Sequence, residues 1–212
     1  MKEASFNRGP GYCQMLYNKM LLDVLASAAA KKYDLIEPDV LGIIDGDTYW
    51  HTLPVKENVV DPAGHIILHT FDPTCNFQKG VYGKGVIDML KADSDSFLNA
   101  MVQFPIHVWR ESLSQMRQYV SELHGEGTTF LDVYMNTEAS ICEFCLMASY
   151  FHLHEADRYT VTNRPCPNMN KEYTSNLFRE STHGLPMVGT MQHMRILKTY
   201  IVVIAAGSRD AA

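Results

Sequence analysis

The residues best suited to chemistry crowd one stretch, Glu138 to Tyr159, where cysteines and histidines occur together. Thiolate and imidazole are the ligands tetrahedral zinc prefers, and Cys142, Cys145 and Cys166 with His152 or His154 could supply a set of four. At about 100° per residue on a helix, Cys142 and Cys145 share a face with Ile141, Ser149 and Ala156, where a thiol packs as a small hydrophobe. His152 and His154 point about 160° apart on the same helix, so only local unwinding would bring both to one ion. Packing is therefore the preferred role and zinc the alternative.

Other candidates are more dispersed. His65 and His69 share a face whether their segment is strand or helix and could pair on a metal, although histidines on an apolar strand are commonly plain core or surface residues. Gly80, Gly83 and Gly85 surround Tyr82 and Lys84 ahead of a helical run. Such a loop can turn backbone N–H groups toward a phosphate, but Walker and dinucleotide spacings are both absent, and a flexible turn is expected. The string His152-x-His154-x-x-Asp157 has the spacing of metal-hydrolase loops without the preceding strand or the later ligands. No serine sits in a nucleophile elbow, and Cys13 and Cys75 lack the His/Asp context of a reactive thiolate.

The elements that would position these groups follow from periodicity. Leu16, Met20 and Val24, with Tyr17, Leu21 and Leu25 alongside, predict one helix running to Ala30, with Lys31 and Lys32 suiting its C-terminal dipole. After Pro38, the run DVLGII fits a short helix or a strand, closed by the turn residues Asp45 to Thr48. His65 to His69 reads as a strand, and His107 to Leu123 as an amphipathic helix on the spacing Trp109, Leu113, Met116, Val120, Leu123. Phe130 to Met135 alternates like a strand and leads to Thr137, an available N-cap for a buried central helix. Val188 to Leu197 reads as a helix and Tyr200 to Ala206 as a buried strand.

The chain has 212 residues, 46% hydrophobic and 20% charged, enough for a substantial core in one domain. A net charge of −6 argues against nucleic acid or an anionic membrane as main partner, while leaving room for a local cationic pocket. No signal-like apolar core and no membrane-length run is visible. Five dispersed cysteines do not form a secreted disulfide framework, so reduced thiols in a cytoplasmic setting are expected.

In motif order the chain resembles the thymidylate synthase and pyrimidine-nucleotide hydroxymethylase superfamily. Asp39-Val-Leu-Gly-Ile-Ile-Asp-Gly-Asp-Thr48 is similar to that family's helix bearing a general acid/base carboxylate, with Asp39 where Glu is usual. Val81-Tyr82-Gly83-Lys84 resembles its active-site YG loop, and Asp93 to Ser96 the DPDS ahead of two arginines. Leu131 to Thr137 resembles the strand before its RS-x-D motif, Ala148-Ser149-Tyr150 its buried helix, and Thr182-His183 its sugar-contacting T-H.

Several positions depart from the family. No cysteine lies between Cys75 and Cys142, so the nucleophile is missing; Ser112 is nearest in register, and a hydroxyl without an adjacent base replaces a thiolate poorly. Ser96-Phe97 and Asn136 stand where phosphate-binding arginines belong, with Arg110 and Arg117 nearby but off-register. The segment around Ser112 reads as a helix where the family has a strand. A slighter likeness, Gly189-Thr190 with Ile201 to Gly207, is to sugar-phosphate isomerases lacking their catalytic loop.

The expectation is a single α/β domain over residues 1–212, a mixed β-sheet packed around a buried central helix at about 138–158. The resemblance implies a homodimeric, transferase-like protein that binds a pyrimidine mononucleotide without the thiolate route. Asp39 and Tyr82 would be its catalytic residues, with Lys84, Ser112 and His183 on the substrate. The sequence names no cofactor. A structural or assembly role, and a zinc-stabilised domain using Cys142, Cys145, His152 and Cys166, are the alternatives.

Overall fold

The computed structural model describes residues 10–43, 48–50, 59–73, 75, 79–100, 102, 105–165, 188–190 and 202–203. The first helical segment is two helices, α1 (Pro10–Lys19) and α2 (Leu22–Tyr33), not one. At the break Met20 and Leu21 close tight turns onto Tyr17 and Asn18. Side chains fix that break. Arg117 donates to the Met20 carbonyl and forks onto both Asp23 oxygens at 2.7 Å. The buried Lys19 ammonium reaches Glu143 at 2.7 Å and lies over the Phe144 ring. Lys31 and Lys32 occupy the last turn of α2, as expected.

Strand β1 (Val40–Ile43) resolves the choice left open after Pro38, and does so against the helix that the resemblance implies there. It pairs antiparallel with β4 (Ile106–Trp109) on one edge and with β7 (Val202–Val203) on the other. β2 (Thr48–Trp50) pairs antiparallel with β6 (Val188–Thr190), so the expected helix at 188 begins as a strand; its remainder lies outside the described residues. β3 (Ile66–Phe71) runs parallel to β5 (Tyr159–Arg164), in register from Ile66↔Tyr159 to Phe71↔Arg164.

Two readings of period are corrected. The expected helix from His107 is strand β4 followed by α4 (Arg110–Leu123), whose Leu113, Met116 and Val120 are wholly buried. The expected strand at 130–135 is helix α5 (Phe130–Asn136). Its cause is a capping box: the Asp132 N–H donates to Thr129 Oγ1 at 3.2 Å, and the Thr129 N–H to Asp132 Oδ2 at 2.9 Å. Phe130, Val133 and Tyr134 then face inward on one helical stripe. Thr137 consequently closes α5, its N–H on the Val133 carbonyl, and does not cap the central helix.

The glycine-rich segment is not a loop. A π-helical turn (Lys79–Gly83) runs straight into α3 (Lys84–Leu90). Gly85 permits a close approach to the chain ahead of the central helix, since a Cβ there would stand 2.3 Å from the Ser140 carbonyl oxygen. The central helix is α6 (Glu143–His154), shorter than expected at both ends, with every residue from Glu143 to Phe151 buried. Met20, Leu41, Ile66, Met89 and Leu113 from the surrounding helices and strands join Phe144 and Phe151 of α6 in one hydrophobic core. The fold is a mixed α/β domain around a buried helix. Among the described residues no helix is long and apolar enough to cross a membrane.

Cys142 and Cys145 are free, but Cys75 is disulfide-bonded, which corrects the expectation of reduced thiols throughout.

Candidate functional site

The residues singled out by sequence fall at two ends of the α4–α6 pair. Asp39 is exposed just before β1, its carbonyl accepting the Arg110 N–H at 2.8 Å. Ser112, two residues into α4, is 0% exposed. Its hydroxyl bonds a Glu155 oxygen and accepts from the Tyr159 hydroxyl at 3.0 Å. That hydroxyl in turn accepts the Trp109 N–H at 3.0 Å. Burial raises the Glu155 carboxyl's pKa, while Ser112 and the Arg158 guanidinium 3.4 Å away pull against it. The Ser112 oxygen is thus committed to the interior.

Tyr82, half-buried in the π-turn, and Lys84 lie at the other end. Lys84 lines a cleft of about 400 Å³ with Asp88, His124, Thr128, Asp132, Asn136 and Glu138. His124 follows α4, twelve residues beyond Ser112, or about 18 Å along the helix at its usual rise. The Lys84 ammonium is hydrogen-bonded to Asp88 at 2.5 Å, which together with Glu138 raises its pKa. Three carboxylates face one lysine in this cleft. Its hydroxyl and amide groups suit a neutral polar ligand, but its field opposes a phosphate.

The cysteines behave as packing residues. Burial, then the neighbouring Cys145, pushes the Cys142 thiol well above its usual range. Cys145 Sγ points at Asn99 Oδ1, 4.0 Å away, while His152 is exposed at the far end of α6. His154 stacks on Tyr119, ring centroids 4.1 Å apart. Among the described residues no group of three or more His, Cys, Asp or Glu could hold a metal ion. Cys166 and His183 lie outside the described residues.

His65 and His69 share a strand face but not an environment. His65 is closed off at 3.4 Å by Asp61, whose carboxylate is held low first by the Thr160 hydroxyl and then by the His65 N–H. Both ring nitrogens of His69 are buried without a hydrogen-bond partner, as is Nε2 of His107 on β4. Neither His107 nor Arg164 was singled out by sequence; the only available signal was the alternation of the two strands that carry His69 and Arg164.

A second surface feature is the stretch from Lys31 to Glu37, in which every residue is exposed. Tyr33, Leu35 and Ile36 are 62%, 63% and 83% exposed. Arg110 bridges Ser27 and Glu37, at 3.2 and 2.7 Å, so the chain after α2 doubles back along that helix. Val24 and Leu25, on α2 itself, are also exposed.

No protein-family model, no curated protein and no solved structure matches the chain.

Proposed function

We propose that this protein works by association and binding, with a second copy of itself as its partner, and not by covalent catalysis. The observation that carries this reading is the run of exposed large apolar residues Tyr33, Leu35 and Ile36 in one short stretch of chain, with Val24 and Leu25 exposed on the helix before it. Both signs of charge are interspersed with it along the chain, Lys31 and Lys32 before Tyr33 and Asp34 and Glu37 after it. A patch carrying both signs is self-complementary under a two-fold axis. Light scattering on the full chain tests this: a dimer that Ile36→Asp converts to monomer is expected. A wild-type monomer at about 100 µM would sink the reading.

The pyrimidine reading keeps one observation in its favour, the cleft beside Lys84 and Asn136, whose size and polar wall suit a base and sugar. Because its carboxylates oppose a phosphate, a pyrimidine nucleoside is expected to raise the melting temperature more than the mononucleotide. No shift with either at millimolar concentration would end it. Thiolate chemistry is no part of either reading, since Cys142 and Cys145 are buried. The disulfide at Cys75 favours an oxidising compartment over the cytoplasm expected from cysteine spacing.

A further inference from the structure

The three unpartnered ring nitrogens of His69 and His107 are the largest concentration of unmet hydrogen-bonding capacity among the described residues. Buried polar groups are nearly always satisfied, and each one left open costs about 1–3 kcal/mol. Water can fill such a place, and so can a ligand. The surrounding charges decide which kind of ligand.

Strand geometry brings the groups together. His69 lies three residues along β3 from Ile66, which sits abreast of Tyr159, and the Tyr159 hydroxyl reaches the Trp109 N–H. The odd step puts His69 on the opposite face of β3 from Ile66 and Tyr159, but β3 packs against β4, and the His69 and His107 rings lie close enough for the charge of one to bear on the other. Gly42 is the register partner of His107 on β1 and lies against that ring: a Cβ there would stand at ordinary contact distance from its Cδ2, 3.6 Å. Arg164 is opposite Phe71, on the same face of the β3–β5 ribbon as His69 and one diagonal step away, within reach of a long side chain. Its carbonyl accepts the Asp72 N–H at 2.8 Å. No hydrogen bond or ion pair of its guanidinium exists among the described residues.

A metal ion is the first thought for two imidazoles, but the guanidinium beside His69 repels a cation, and among the described residues no third ligand is at hand. An anion meets the opposite situation, with ring N–H donors and a guanidinium fork. We propose that His69, His107 and Arg164 form a binding site for a small oxyanion, the carboxylate or phosphate group of a ligand. His107 is 6% exposed, and His69 and Arg164 are half-buried. The acidic cleft beside Lys84 is a separate place with the opposite preference.

Isothermal titration of the full chain at pH 6.5 with inorganic phosphate and with acetate, against chloride at equal ionic strength, tests this site. Saturable binding of one of the two oxyanions is expected, weakened tenfold or more by Arg164→Gln and by His107→Phe. Should His107→Phe fail to fold, Arg164→Gln decides alone, because that side chain has no structural partner to lose. Phosphate and acetate behaving like chloride, or Arg164→Gln binding as well as wild type, would overturn the proposal. Phosphate binding over acetate identifies a phosphorylated ligand, and the reverse a carboxylate.

Discussion

Two buried polar clusters flank one short piece of chain, and they are built on opposite plans. Ser112, at the start of α4, is closed in a ring with Glu155, Tyr159 and Trp109, and Arg158 lies over the Trp109 indole, 5.3 Å away. His107, five residues earlier on β4, lies near His69, which in turn feels Arg164, and three ring nitrogens of the two histidines have no hydrogen-bond partner. Groups that satisfy one another fix a fold. Groups that satisfy nothing cost stability at rest, and their retention points to something that binds.

Acid separates the two clusters most strongly. Burial pushes the His107 ring to about 4, and burial with the Arg164 charge does the same to His69, from an ordinary value near 6.5. The rings are neutral in the fold but take up protons when unfolded, so stability is intact above pH 6.5 and falls as pH drops from there toward 4. Each ring contributes about 1.4 kcal/mol per pH unit across that window. Urea unfolding at several pH values should show this fall, with His107→Phe removing about half of it.

Next in size is Ser112→Val. It strips a hydrogen bond from Glu155 and an acceptor from Tyr159, and should cost about 3 kcal/mol in denaturant unfolding at neutral pH. His107→Phe should instead be neutral or stabilising by up to about 1 kcal/mol, because it removes an unmet group while filling the space. Equal costs in the two clusters would erase the distinction between them. The smallest effect belongs to the rim of the closed cluster, where Glu111, 61% exposed, pairs with Arg158. Glu111→Ala should cost under about 1 kcal/mol, less still in high salt.

The sequence made some of this legible. Nine consecutive buried residues of α6 follow from its apolar content, and β3 from His-Ile-Ile-Leu-His. Phe130 to Met135 misled because Leu131, Val133 and Met135 alternate like a strand, whereas Thr129 and Asp132, four letters wide, decide for a helix. At β4 the seam Leu113, Met116, Val120 was projected one turn too far upstream, across residues that pair with β1. The open cluster had no sequence signature. His69, His107 and Arg164 come from three strands separated by tens of residues: pairing of β3 with β5 puts His69 and Arg164 on one face, and packing of β4 on β3 brings His107 near. His65 was the obvious partner for His69 and is closed off by Asp61.

The most direct measurement is a pH titration of the two buried imidazoles by histidine side-chain NMR, with and without phosphate. Both rings should remain neutral to near pH 4 in chloride and titrate at clearly higher pH when phosphate is present, since a bound oxyanion stabilises the protonated form. That rise should vanish in Arg164→Gln. Ring titrations that are identical in chloride and phosphate would contradict the oxyanion site.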